Sequence, residues 1–272
     1  TDGMSVGGRH GDQGLEIGRK TMDPMFDFMR QAQKDDKPFF VWYAPFLPHS
    51  PHNAPERLLS QYKDVAPNLE TAKYWANIAW LDETCGQLFQ FLDEQKMTNN
   101  TIIAYLCDNG WLQDPNADRF APRSKQSQYE GGLRTPIMFK WPGKVTPARS
   151  EALAISIDLA PTLLQAVGIE PTEQMQGINL LDEQARDGRK IIFGECFEHN
   201  AVDIYNPASS LRWRWCISDQ TKLILPNPDR QEGPIELYDL ASDPGETTNM
   251  AKEKPETVQA LQKQVDAWWP AK

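Results

Sequence analysis

Apolar residues fall into two textures along this chain. Up to about residue 185 they sit in helix-length periodic stretches and isolated strand-length runs. Beyond it they form short, closely spaced strands. Leu15, Met22, Met25, Phe26 and Met29 recur at helical spacing, which predicts a helix over 15–34. Pro38-Phe39-Phe40-Val41-Trp42-Tyr43-Ala44 then forms a continuous apolar run of strand length, predicting a strand buried on both faces. Pro45, Pro48, Pro51 and Pro55 forbid regular structure next, so His49 and His52 are expected on a rigid loop at that strand's C-terminal end.

The clearest helix is expected over 70–95, with Trp75, Ile78, Leu81, Cys85, Leu88, Phe89 and Leu92 as one buried stripe. It leads into the apolar run 101–107, and strand, long helix, strand is the βαβ pattern of a parallel sheet. A polar stretch over 112–132 ends in Glu130-Gly131-Gly132-Leu133-Arg134-Thr135-Pro136, followed by a short strand from Ile137 to Trp141. The paired glycines suggest backbone angles closed to other residues, hence a shaped loop. Asp158 is the cap candidate of a helix that Gly168 ends. Runs at 191–197, 211–218, 222–225 and 236–240 predict a small antiparallel sheet. Pro255 opens a closing helix with Val258, Leu261, Val265 and Trp268/Trp269 on its apolar face. The expected architecture is therefore α/β, divided into residues 1–185 and a C-terminal subdomain, 186–272.

Composition narrows the partners. A net charge of −10 without a basic cluster argues against nucleic acid. No run of about 18 apolar residues exists, so no membrane span is expected. Thr1-Asp2-Gly3-Met4 shows neither an initiator methionine nor a signal peptide, and reads as an internal stretch. Cys85, Cys107, Cys196 and Cys216 lack CxxC spacing, and the four histidines are scattered, so a zinc knuckle is not expected. The cysteines fit either buried free thiols or two disulfides, which leaves the redox compartment open. Asn99-Asn100-Thr101 fits a glycosylation sequon in a secreted eukaryotic setting.

The chemistry concentrates where the strand over 101–107 runs into Asp108-Asn109-Gly110. Such a turn by itself is commonly only a turn. At the end of a buried strand, however, it places a carboxylate and an amide where α/β proteins bind ligands. Their hard oxygens suit Ca²⁺ or Mg²⁺.

Pro48-His49-Ser50-Pro51, Asp108-Asn109-Gly110, Lys125 ahead of Glu130-Gly131-Gly132, and Arg134-Thr135-Pro136 occur in that order. So do Lys37-Pro38-Phe39-Phe40, Asp158-Leu159-Ala160-Pro161-Thr162, Leu237-Tyr238-Asp239-Leu240, Asp243-Pro244-Gly245-Glu246 and Asn249. Together they resemble the C-terminal two-thirds of a type I sulfatase, of the alkaline-phosphatase-like superfamily. The resemblance implies a mixed or parallel sheet flanked by helices, partly present, plus a small C-terminal antiparallel sheet with a packed helix. It implies that Asp108 and Asn109 hold a divalent cation, usually Ca²⁺ and less often Mg²⁺, against a sulfate group. His49 and Lys125 would contact sulfate or the leaving oxygen. Such groups suit the reaction, because sulfate-ester cleavage develops charge on the bridging oxygen. Trp111, Glu198, His199 and Arg212 are substrate-binding candidates by position only. Arg134 would brace the glycine loop, and His52 lies outside the family's motif and reads as a surface loop residue.

The family's formylglycine nucleophile arises from Cys or Ser in Cys/Ser-x-Pro-x-Arg, and this sequence contains no such motif. The resemblance thus implies that the nucleophile and the remaining metal carboxylates lie in an N-terminal segment outside these residues. The chain alone would then be inactive. The expected substrate is a carbohydrate or aryl sulfate ester, and the expected location is periplasmic, extracellular or lysosomal. Two alternatives stand beside it: a phosphonate or phosphate-ester hydrolase of the same superfamily, and a non-catalytic binding remnant.

Overall fold

A computed structural model describes residues 16–230 and 232–270. In chain order the helices are α1 (Asp23–Lys34), α2 (Glu56–Leu59), α3 (Leu69–Glu94), α4 (Glu130–Leu133), α5 (Leu159–Ala166), α6 (Glu183–Gly188) and α7 (Pro255–Trp268). The strands are β1 (Ile103–Leu106), β2 (Ile137–Lys140), β3 (Ile191–Phe197), β4 (Leu211–Ser218), β5 (Thr221–Pro226) and β6 (Glu236–Asp239). Among the described residues, β1 and β2 form one two-stranded sheet, and β3-β4-β5-β6 form the other. The chain divides into two compact units. One holds the described residues to Ile103 with Gln113–Ala121 and Phe139–Lys144, and the other holds Ala104–Leu112, Pro122–Met138 and the chain from Val145 onward.

The first unit is built on α1 and α3. Pro24 sits in the first turn of α1, where its missing N–H costs nothing. The expected helix started earlier, at Leu15, which lies outside the described residues. Asn68 caps α3 by accepting the Thr71 N–H at 2.8 Å. Met22, Met25, Met29, Phe91, Leu92 and Met97 form the core here, with Phe26 stacked on Phe91 at 4.3 Å.

Two expectations fail in this unit. Residues 38–44 run without a ladder: Phe39, Val41 and Tyr43 pack on the methionine core, while Phe40 (74 %) and Trp42 (81 %) stand in water. No strand among the described residues pairs with this segment, so it is not buried on both faces and no βαβ unit forms among those residues. The buried line of α3 is also not the apolar stripe. It runs through Ala72, Ala76, Asn77, Thr84, Phe91 and Leu92, whereas Ile78 and Phe89 are exposed. The reason is polar. Asn77 donates to the Pro48 and Pro51 carbonyls at 3.3 Å and accepts the Ala54 N–H at 3.1 Å, and Tyr43 Oη donates to Thr84 Oγ1 at 2.8 Å. Small and polar residues let the proline loop lie close against the helix.

The second unit follows the sequence pattern. Strands β3 to β6 pair antiparallel throughout, with Cys216 opposite both Phe193 and Leu223. Alternation sends Trp213, Trp215, Ile217, Ile224 and Tyr238 to one face, under Tyr129, Leu133, Leu153 and Ile155. Cys216, Leu223, Leu225 and Leu237 face Leu261 and Val265 of α7 on the other. Asp158 is no simple cap. Its buried carboxylate accepts the Ile155 and Ile178 N–H groups at 2.9 Å and pairs with both terminal nitrogens of Arg189 at 2.6 and 2.7 Å. All four cysteines are free thiols, Cys196 and Cys216 buried and Cys85 and Cys107 partly so.

Candidate functional site

Strand β1 ends one residue before Cys107 and delivers Asp108 to solvent, with Asn109 half-buried and Gly110 buried. Asp108 Oδ1 accepts the Asn109 N–H at 2.9 Å, and the Asn109 amide nitrogen donates to the Gly110 carbonyl at 2.9 Å. The turn is therefore internally braced, with the exposed Asp108 carboxylate and the Asn109 side-chain carbonyl oxygen as its ligand-capable groups.

This turn is locked to the loop that carries Lys125. Gly110 N–H donates to the Gly132 carbonyl at 2.8 Å, and Leu112 N–H donates to Ser124 Oγ at 2.6 Å. Side chains are excluded from the contact. A Cβ on Gly110 would meet the Gly131 oxygen at 2.4 Å, and one on Gly132 would meet the Ser124 oxygen at 2.2 Å. The paired glycines thus serve close approach and not special backbone angles, which corrects the expectation. The positive φ values in this loop belong to Arg123 (60°) and Gln126 (65°), on either side of Ser124-Lys125. Lys125 is half-buried and forms no ion pair among the described residues, and neither does Asp108.

The loop stands on a buried charged cluster. The Lys222 ammonium, fully enclosed on β5, lies 2.8 Å from Glu130 Oε1 and 2.8 Å from Glu246 Oε1. Glu246 Oε2 accepts the Glu130 N–H at 2.6 Å. The Arg123 guanidinium stacks 3.8 Å over the Tyr129 ring and donates to the Glu246 carbonyl. Burial, with the Glu236 carboxylate beside it, pushes the Tyr129 hydroxyl up to about 12, and the same two causes raise Tyr238. Both phenols remain protonated donors to Glu236, with Tyr129 Oη at 3.0 and 3.1 Å from its two oxygens.

The four positional candidates differ in availability. Gln126 Nε2 donates to His199 Nδ1 at 3.0 Å, so His199 lies beside the residue next to Lys125. Glu198 is paired with Arg230, and Arg212 is paired with Glu232 at 2.7 Å and stacked 4.1 Å over Trp213. Trp111 follows Gly110 and is half-buried.

His49 belongs to the other compact unit. Its Nδ1 lies 2.8 Å from the Ser50 carbonyl, its ring tilts against Phe46 at 4.9 Å, and its own carbonyl accepts from Arg19 at 3.0 Å. His52 is not a surface residue. It is 8 % exposed, with Nδ1 2.6 Å from Asp118 Oδ1 and its ring 5.5 Å from Tyr74. Burial lowers its pKa, outweighing the Asp118 charge that raises it.

Among the described residues no three His, Cys, Asp or Glu groups cluster to hold a metal. Asp108 and Asn109 offer two hard oxygens, which fit Ca²⁺ in kind but fill only part of the six to eight ligands it takes.

Among solved structures, the yidJ sulfatase of Bacteroides fragilis superposes with a TM-score of 0.76 at 22 % identity, covering 92 % of this chain and 57 % of that one. The architecture is thus the alkaline-phosphatase-like α/β fold, present in part. The family described as Sulfatase matches residues 14–169, more than half the chain, and that described as N-sulphoglucosamine sulphohydrolase, C-terminal, matches residues 122–268. The chain belongs to the sulfatase family, whose members generally depend on calcium and formylglycine. The N-acetylgalactosamine-6-O-sulfatase of Bacteroides thetaiotaomicron is 29 % identical over 83 % of this chain and 46 % of its own length. Human arylsulfatase A is 26 % identical over 86 % of this chain and 49 % of its own. The chain spans about half the length of the curated relatives it matches. No helix among the described residues is long and apolar enough to cross a membrane.

Sequence reasoning passed over Lys222, Arg123 and the role of Glu246. The Asp243-Pro244-Gly245-Glu246 motif was visible, but nothing local says that its glutamate reaches Glu130, 116 residues away.

Proposed function

We propose that this chain carries the cation- and sulfate-binding edge of a hydrolase of carbohydrate or aryl sulfate esters. The observation that carries the reading is the lock between Gly110 and the Lys125 loop. It sets a carboxylate and an ammonium, neither ion-paired among the described residues, and an amide on adjoining turns. The chemistry calls for that set. Asp108 and Asn109 would hold the cation, and Lys125, a compact point charge, binds a sulfate oxygen and offsets the charge that grows during cleavage. His49 hands a proton to the leaving oxygen, a role suited to imidazole near neutral pH. A calcium ion bound here would add positive charge beside the sulfate, and formylglycine would bring the attacking hydroxyl. With no Cys/Ser-x-Pro-x-Arg among the 272 residues, turnover requires a nucleophile from polypeptide outside them.

Substrate contacts are proposed at His199 and Trp111, and at Glu198 and Arg212 in their ion-paired state. The names of the relatives support a sulfated amino sugar or aryl sulfate as the substrate class. The deciding experiment measures turnover of nitrophenyl sulfate and nitrophenyl phosphate by the full-length enzyme. Asp108→Ala or Lys125→Ala should each lower kcat for the sulfate ester by roughly 10²–10³, the scale of losing one electrostatic stabiliser. Unchanged turnover in either variant, or preference for the phosphate ester, would overturn the assignment.

A further inference from the structure

The buried ammonium of Lys222 touches neither the Asp-Asn-Gly edge nor Lys125, yet the loop that joins them rests on it. We infer that Lys222 is a positioning residue: it fixes the Glu130-Gly131-Gly132 turn and through it the geometry of the cation- and sulfate-binding edge. This rests on the proposed function of that edge.

The chain of contacts is continuous within one compact unit. Lys222 projects from β5 toward the face that carries Trp215 and Ile224, its ammonium 5.8 Å from the centre of the Trp215 ring. It pairs with Glu130, the first residue of α4, and with Glu246, whose other oxygen takes the Glu130 N–H. Two residues on, the Gly132 carbonyl takes the Gly110 N–H. The backbone around Gly131 and Gly132 closes on the oxygens of Arg123 and Ser124, the residues just before Lys125. A shift at Glu130 is therefore transmitted to both turns, since neither contact has room for a side chain to take up slack.

Stability alone is a weak reason for such a cluster. Replacing a buried ion pair by apolar or neutral groups of similar volume is often neutral or stabilising, whereas removing one partner is costly. An ammonium between two carboxylates instead specifies where the Glu130 and Glu246 side chains sit, and Glu246 in turn takes the Glu130 N–H. Glu246 holds a positive φ of 55° while making these contacts.

The test uses the full-length enzyme with two readouts, kcat for nitrophenyl sulfate and calcium affinity by titration calorimetry, the second independent of turnover. Lys222→Met should lower kcat about tenfold or more and weaken calcium about tenfold. The triple variant Lys222→Met/Glu130→Gln/Glu246→Gln leaves no uncompensated charge, so it should regain folding stability while keeping both defects. Leu261→Ala, on the buried face of α7, should lower stability without changing either readout. Wild-type kcat and calcium affinity in the triple variant, or the same calcium defect in Leu261→Ala, would overturn the inference. Should Lys222→Met not fold, the triple variant decides alone. A wild-type enzyme that binds calcium but cleaves no sulfate ester would instead count against the proposed function and leave the calorimetric comparison standing.

Discussion

The segment over 38–44 is more apolar than the strands of the C-terminal sheet, yet the sheet became a buried ladder and the segment an extended strip with Phe40 and Trp42 in water. The difference is pairing. Every strand from β3 to β6 has its neighbour within a few dozen residues, so hairpins close locally and both faces are then covered, by α7 on one side and by Tyr129 and Leu133 on the other. Residues 38–44 have no partner strand among the described residues, and only alternate side chains find a core. Hydrophobicity states a capacity for burial; a partner has to realise it.

The contrast can be broken by mutation. Leu237→Ala removes a fully buried side chain from the sheet core and should cost about 2–5 kcal/mol in denaturant unfolding. A loss below 1 kcal/mol would mean that the sheet packs more loosely than its burial indicates. Asn77→Ala strands the Pro48 and Pro51 carbonyls and the Ala54 N–H, and should cost about 1–3 kcal/mol, read from the same melts. An unchanged midpoint would remove Asn77 as the clamp of the proline loop.

A smaller effect is expected from pH. Burial depresses His52 in the folded state, so below the ordinary histidine pKa of about 6.5 the unfolded chain binds a proton that the folded chain resists. The stability it contributes is present above that pH and is lost as pH falls below it. Unfolding midpoints measured between pH 8 and pH 5 should therefore decline, and His52→Gln should flatten the decline. The smallest effect belongs to Trp42→Ser, within about 0.5 kcal/mol in the 272-residue chain. A larger loss would show that this exposed face is covered in solution.

The four-stranded sheet and its closing helix were largely legible in the sequence, since their signals are local: two-residue alternation, turn residues between strands, and Pro255 ahead of an apolar helical face. Asp108, Asn109 and Lys125 were legible as types of chemistry in a recognisable order, and the structure joins their two turns through Gly110 and Gly132. Their roles, like those of His49 and the four positional candidates, are proposals that the activity measurements address. The stripe on α3 misled because the loop packed on that helix demanded amide and hydroxyl partners, which hydrophobic periodicity does not register. His52 misled for a similar reason: a histidine among prolines shows nothing of the Asp118 that it meets 66 residues later.

By itself the sequence determined where helices and strands could form, which oxygen- and nitrogen-bearing residues could do chemistry, and which family the order of motifs resembles. These follow from periodicity and spacing over a few residues. Tertiary structure decided that Gly110, Gly131 and Gly132 serve close packing, that Asp158 is a buried anchor for Arg189, and that Lys222 stands under Glu130 from 92 residues away. Contacts of that range depend on which surfaces meet once hydrophobic faces are buried. In that dry interior a charge must find its partner or lose its place, so the pairing of Lys222 with Glu130 and Glu246 appears only in the folded chain.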